Sequence, residues 1–395
     1  MNLNRGRALT SIPGPSVIPD RVLSAMHRAM PNIYEGELIE TGDSIFRDLP
    51  GIAGTKGRVF VPISNGHGAW EMALTNTLSR GDRVLVLGTG RFAPGWGDMA
   101  GKLGCEVETI DFGDRAAADP SRLEDHLRAD AGHRIKAILV VQVDTASSVL
   151  NDMAALRAAI DAAGHPALLM ADCVASLGCV PYHMDDWGVD VTVGGSQKGL
   201  MVPPGLGLVW ASEKALDAHK QADLVTPYWD WTARMDDDAF YMKFAGTAPI
   251  QHIYAMRTAL DMLLEEGLEN VWARHAVFAD AVRAAVAAWS TENGLSFNIE
   301  DPACRANSTT TVLTGEIADP RLRAICDRQA GLTLGRGLGG FAGHAFRIGH
   351  MGHLNPPMVL GTLATIEAAL HALDAPVGGS GVAAAAKVIG AAFDV

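Results

Sequence analysis

A lysine follows Gly194-Gly195-Ser196-Gln197, and upstream an aspartate ends the apolar run Ala167-Leu168-Leu169-Met170-Ala171-Asp172. A lysine amine can hold an aldehyde as a Schiff base. A carboxylate at the end of a buried strand can keep a pyridine nitrogen protonated. Pyridoxal phosphate (PLP) needs both groups, so Lys198 and Asp172 nominate that cofactor before any fold is assumed.

A second segment, Ser64-Asn65-Gly66-His67-Gly68-Ala69-Trp70-Glu71, lies between a β-rich run and a helical one. Backbone N–H groups and the helix dipole at such a junction favour an anion, and small residues allow close approach. A plain glycine turn is the alternative reading; the lysine and aspartate favour the phosphate. Arg347, in Phe346-Arg347-Ile348-Gly349-His350, ends an apolar strand without an acidic neighbour, which suits bidentate capture of a substrate carboxylate. It can equally be an ordinary surface arginine. Arg336, in Gly335-Arg336-Gly337, is similarly ambiguous. His344, His350 and His353 lack the carboxylate or cysteine companions of a metal site and read as core or interface histidines.

One competing pattern is Gly88-Thr89-Gly90-Arg91-Phe92-Ala93 after the run Val84–Leu87, which satisfies a dinucleotide-binding spacing, with Asp111 about where a ribose-binding acid belongs. Pro94-Gly95 and Gly97 make a poor opening for the helix that pattern requires. The dinucleotide reading also leaves Lys198 and the Ser64–Gly68 turn unexplained.

These residues need a scaffold. From about residue 59 to 211, short β-rich runs alternate with helical stretches: Val59–Ile63, Ala69–Leu78, Arg83–Leu87, Trp96–Leu103, Glu106–Asp111 and Ser121–Arg128. The rhythm continues through Ile135–Gln142, Met153–Ala162, Ala167–Asp172, Val189–Val193 and Gly207–Ala211. Apolar strands joined by helices predict an α/β fold, a largely parallel sheet covered on both faces with its ligands at the strands' carboxyl ends. Residues 221–250, rich in Asp, Trp, Tyr and Pro, read as a long surface loop or interface segment, including Asp236-Asp237-Asp238. Two amphipathic runs, His252–Glu266 and Leu268–Trp289, bridge to a second domain containing Thr309–Leu313, a turn at Gly335–Gly343, the strand His344–Ile348 and the helix Met358–Leu373. The Gly/Ala-rich tail after Ala375 is weakly specified.

The chain has 395 residues, enough for two domains. Its net charge of −13 argues against a nucleic-acid surface or an anionic membrane, and no window approaches a membrane span. Five cysteines without zinc-type spacing, and an N-terminus without an apolar signal core, read as a reduced, cytoplasmic protein.

Taken together, these motifs resemble the class V, fold-type I PLP-dependent aminotransferases, in the serine, alanine and aspartate–glyoxylate branch. The similarity runs from Pro13-Gly14-Pro15 through Ser64–Glu71, Ala171–Ser176, Gly195–Gly199 and Pro203-Pro204-Gly205, then through Glu266–His275 to Phe346–Gly349. The resemblance implies a large domain over 16–255 with a mostly parallel seven-stranded sheet. It also implies a smaller α+β domain from 1–15 and 256–395. Lys198 would form the internal aldimine and shuttle the proton, with Asp172 on the pyridinium nitrogen. Asn65, Gly66, His67 and Gln197 would hold the phosphate, and Thr247 would reach it from a neighbouring subunit. Phe92 would stack on the ring, Val174 would close the other face, and Thr145 would contact it.

Arg347 would grip the donor's α-carboxylate, with Gly14, Tyr34 and Glu35 in the N-terminal substrate segments. The resemblance further implies an obligate homodimer, with tetramers open, and a ping-pong transfer of an amino group to glyoxylate. Where many relatives carry His-Arg, this chain has Tyr34-Glu35-Gly36, and where they carry a phosphate-binding tyrosine it has Phe244. Arg336 stands where the serine–glyoxylate pattern has Thr. A second carboxylate fork there would favour L-aspartate over L-serine as donor. A relative acting on pyridoxamine also carries arginine here, but it has a Glu-Pro replacement in the phosphate turn that this chain lacks. Serine–glyoxylate or alanine–glyoxylate/serine–pyruvate transfer remain alternatives. A cysteine-desulfurase-like lyase would need a cysteine on a mobile loop, whereas Cys326 lies in a helical run. A non-catalytic PLP-fold binding protein is the rival from another class.

Overall fold

A computed structural model describes residues 3–235 and 239–393 of the chain. Seven strands form the path of the large sheet, in the order Arg58–Phe60, Gly205–Ala211, Val191–Gly195, Leu168–Asp172, Ile135–Val141, Arg83–Gly88 and Glu106–Asp111. A short strand, Ile63–Ser64, pairs with Gly205–Leu206 off that path. The five strands from Val191–Gly195 to Glu106–Asp111 are parallel, whereas Gly205–Ala211 is antiparallel to both its neighbours.

Alternation explains why the central strands read as unbroken apolar runs. Leu85, Leu87, Ile138, Val140, Leu169 and Ala171 enter one core, shared with the helices Glu37–Ile52 and Ile250–Glu266. Val84, Val86, Ala137, Leu139, Leu168 and Met170 enter a second core on the opposite face, under the helices Gly66–Thr77 and Phe92–Leu103. With both faces covered, side chains of either parity must be apolar.

The second sheet runs Leu9–Ser11, Leu332–Arg336, Ala345–Gly349, Thr309–Leu313, Ser296–Phe297. Leu9–Ser11 is parallel to Leu332–Leu334, and the other pairs are antiparallel. This sheet and the helices Leu268–Trp289, Asp319–Ala330, Pro356–Ala372 and Gly381–Ala391 share a third core. The N-terminal strand then leads Pro13–Ser16 back to the large sheet, where Ser16 N donates to Gln197 O at 2.9 Å and Ser16 Oγ to Lys198 O at 2.7 Å.

Three sequence expectations are corrected. The surface-loop half of the reading of residues 221–250 is overturned: Trp231 is fully buried in the helix Trp231–Arg234, stacked on Phe60 with ring centroids 4.9 Å apart. Asp236–Asp238, part of that reading, lie outside the described residues. The helix after the Gly88–Gly90 turn opens at Phe92 despite Pro94 and Gly95. Proline is tolerated in a first turn because its missing N–H has no helical partner there. Finally, the tail forms the helix Gly381–Ala391, capped by Ser380 Oγ accepting from Ala383 N. Among the described residues no helix is long and apolar enough to cross a membrane.

Candidate active site

The carboxyl ends of the parallel strands open on a cavity of about 310 Å³. Lys198 and Asp172 both line it, so they face one chamber. Asp172 ends its strand with both oxygens engaged: Oδ2 accepts from Trp70 Nε1 at 2.9 Å and Oδ1 from Val174 N at 2.7 Å. Burial pushes its pKa up to about 6, against the pull of those two donors. Removing a carboxylate from water favours its neutral form, and a cation placed beside it would restore the ionised one.

Lys198 follows the strand Val191–Gly195, and its Nζ donates to Pro13 O. Burial and then the positive Arg347 lower its pKa to about 8, with Asp172 opposing. Gly14 has φ +89°, a conformation that favours glycine, and a Cβ there would fall 2.3 Å from Lys198 Cδ and 2.7 Å from Nζ, so a larger residue would push the amine aside.

Asn65 caps the helix Gly66–Thr77, its Oδ1 accepting from His67 N at 3.0 Å and Gly68 N at 3.4 Å. Asn65, Gly66, His67 and Gln197 line one end of the cavity. Gln197 Oε1 is buried without a partner among the described residues. A Cβ on Gly66 would come within 2.9 Å of Val174 Cγ2, so glycine lets backbone and Val174 approach together. Phe92, Val174 and Thr145 complete the walls. His67 is lowered by burial first and by Arg91 second, both of which favour its neutral ring.

Arg347 is hydrogen-bonded to Thr145 but, like Arg336, is not itself among the residues that line the cavity. Its Nη1 donates to Thr145 O and its Nε to Arg336 O, both at 2.8 Å, and burial lowers it to about 10. The Arg336 side chain is exposed and adds positive charge beside it.

A family model described as aminotransferase class-V matches residues 52–342. The chain belongs to the class-V aminotransferases. It is 41% identical over 392 residues to the serine–glyoxylate aminotransferase of Methylorubrum extorquens, covering 97% of this chain and 96% of that one. It is 40% identical over 384 residues to the L-aspartate–glyoxylate aminotransferase of Paracoccus denitrificans, covering 95% and 94%. Pyridoxamine–pyruvate aminotransferase of Mesorhizobium loti superposes with a TM-score of 0.90 at 28% identity, over the full length of both chains.

Like its family, this aminotransferase uses PLP. The cavity fits the cofactor: a buried acid for the pyridine nitrogen, an amine for the aldehyde, a helix N-terminus for the phosphate, and flat walls at Phe92 and Val174. The dinucleotide alternative fails because the first N–H of the helix after Arg91, that of Phe92, is already taken by Asp144 Oδ2 at 2.7 Å. Cys326 is buried in a helix with its thiol pushed up to about 12, unlike a loop nucleophile.

Not every expected residue lies here. Tyr34 is 82% exposed, and Glu35 and Thr247 are exposed as well, all three outside the cavity of their own chain. Phe244 is packed in the core against Phe46 and Phe240. Sequence reasoning missed two residues. Trp70 has a signal, since an indole one turn into the phosphate helix projects toward the strand that carries Asp172. Asp144 has a weaker one, a lone acid after the run Ile135–Val141.

Proposed function

We propose that this aminotransferase moves the amino group of L-aspartate, or of L-serine, to glyoxylate, leaving a 2-oxo acid and glycine. Arg336 carries the reading: an exposed cation beside Arg347, without a carboxylate partner among the described residues, can take the second carboxylate of aspartate. The names of the two relatives at about 40% identity support the glyoxylate acceptor and leave both donors in play.

Bound PLP supplies the electron sink that stabilises negative charge at the donor's Cα. Asp172 holds the proton on the pyridine nitrogen. Arg347 would orient the donor through its α-carboxylate, and Lys198 Nζ would take the proton from the donor's Cα and deliver it to C4′, the former aldehyde carbon of the cofactor. Asn65, Gly66, His67 and Gln197 hold the phosphate, Phe92 and Val174 enclose the ring, and Gly14 leaves space for the amine. The same residues serve both half-reactions, giving ping-pong kinetics.

The working unit is a homodimer, and exposed Tyr34, Glu35 and Thr247 would act across its boundary, Thr247 toward the phosphate of a second copy. The free cysteines fit a reduced, cytoplasmic setting. Steady-state kinetics with both donors test the substrate. Arg336→Ala should lower kcat/KM for aspartate about tenfold or more, the worth of one charge-assisted contact, while serine changes little. An unchanged aspartate/serine ratio refutes the second fork.

A further inference from the structure

Asp144 has no part in the chemistry above, although it is fully buried and belongs to the same neighbourhood. Its Oδ2 accepts from Phe92 N at 2.7 Å, and its Oδ1 from Ala146 N at 2.7 Å and Ser147 N at 3.3 Å. Its own carbonyl accepts from Ser148 N at 2.7 Å. A Cβ on Gly90 would fall 2.5 Å from the carboxyl carbon, so the turn before Phe92 wraps directly onto this side chain. Two loops, each following a parallel strand, therefore close on opposite oxygens of one carboxylate.

An asparagine cannot replace this arrangement. It offers acceptor lone pairs at one end only and would turn an NH2 toward one of the loops' N–H groups. A buried carboxylate costs several kcal/mol unless its acceptor capacity is used, and here three backbone N–H groups, from both loops, use it. Those loops end on the working groups. Phe92 lines the cavity, and Thr145, the next residue after Asp144, gives its carbonyl to Arg347 Nη1. Asp144 itself does not line the cavity.

We propose that Asp144 is a positioning residue that locks the Phe92 wall and the Arg347 guanidinium into one rigid unit. This rests on the reading in which Phe92 faces the cofactor and Arg347 grips the donor carboxylate. Burial raises the pKa of Asp144, the three backbone N–H groups pull the other way, and in its ionised form it supports the protonated forms of Arg347 and Lys198. Ser147 Oγ donating to Thr89 O at 3.0 Å is a second tie between the loops, which should let the fold survive loss of the first.

The test is Asp144→Asn in the full-length holoenzyme, read three ways. The circular dichroism of the bound cofactor in the visible should fall by about half or more as the Phe92 wall loosens. The dissociation constant of propionate, an unreactive monocarboxylate followed through its perturbation of the cofactor spectrum, should rise about tenfold. Arg347→Lys should weaken propionate binding much less in the Asp144→Asn background than in the wild type, because coupled residues are non-additive. Unchanged dichroism and propionate affinity, or additive effects, overturn the proposal, including when only the melting temperature falls. If Asp144→Asn does not fold, Gly90→Ala, which presses on the same carboxylate from the other side, should give the same changes, and its failure to do so is equally decisive. A wild type that transfers no amino group to glyoxylate would refute the substrate reading. The dichroism and propionate arms would still decide the role of Asp144.

Discussion

Lys198 and Asp172 are both shifted toward neutrality in the cofactor-free protein, one down to about 8 and the other up to about 6, chiefly by burial. Only the neutral amine attacks an aldehyde. The rate at which apoenzyme captures PLP should therefore rise with pH through about 8 and then level, followed by absorbance after mixing. Because Arg347 contributes to lowering the lysine, Arg347→Ala should move that midpoint upward. A midpoint that stays put would remove Arg347 from the lysine's field. Trp70 bears on the acid in a comparable way. Its indole N–H lowers Asp172 against desolvation, and Trp70→Phe keeps the ring while deleting the donor. A hydrogen bond to a charged group contributes about 1.5–3 kcal/mol, so PLP should dissociate roughly ten- to a hundredfold more readily, measurable by titrating apoenzyme.

Among the elements, those whose burial is two-sided or whose period is regular were legible. Glu106–Asp111, Met153–Ala162, Leu268–Trp289 and Thr309–Leu313 have the boundaries the sequence suggests, because apolar runs and helical periodicity answer directly to the cores they enter. Lys198, Asp172, Asn65, Gly66, His67, Phe92, Val174 and Thr145 share one cavity because each ends or follows an element of the large sheet. Trp70 and Asp144 escaped notice because their local signals are weak and their partners, Asp172 and Phe92, are distant in sequence. The Gly/Ala-rich tail misled for a different reason. Small residues look unspecific, yet they allow the helix Gly381–Ala391 to lie close against Leu268–Trp289. A Cβ at Gly381 would fall 2.4 Å from Trp289 Cε2, and Trp289 is itself fixed by Nε1 donating to Glu367 at 2.8 Å. Gly381→Ala should cost about 1–3 kcal/mol through overpacking, read as a lower denaturant midpoint with the transaminase rate per folded molecule unchanged.

For the whole molecule, two buried histidines near the joint between the sheets tie stability to pH. His275 Nε2 accepts from Gly352 N at 3.0 Å, and His350 is held between Thr310 Oγ1 and Asn307 O, both at 2.9 Å. Burial, reinforced by nearby arginines, lowers His275 to about 4 and His350 to about 3 from 6.5. Above pH 6.5 neither the folded nor the unfolded chain protonates them, and their contribution is constant. As pH falls below 6.5, the unfolded chain takes up two protons that the folded chain refuses, so stability drops by about 2.7 kcal/mol per pH unit for the pair. His165 and His353, also lowered by burial, add in the same direction. Asp172, raised by burial, works in the opposite sense, so the measurement belongs to the holoenzyme, where the proposed pyridinium partner would hold that acid ionised. Denaturant midpoints taken from pH 7 to about 5 should fall steadily in the wild type. In His350→Asn the slope should lessen by about 1.4 kcal/mol per unit, from a lower starting stability, because one of the refused protons is gone. An unaltered slope in that variant would mean that His350 is protonated in the folded protein, and the buried, neutral ring between Thr310 and Asn307 would be the wrong description of this joint.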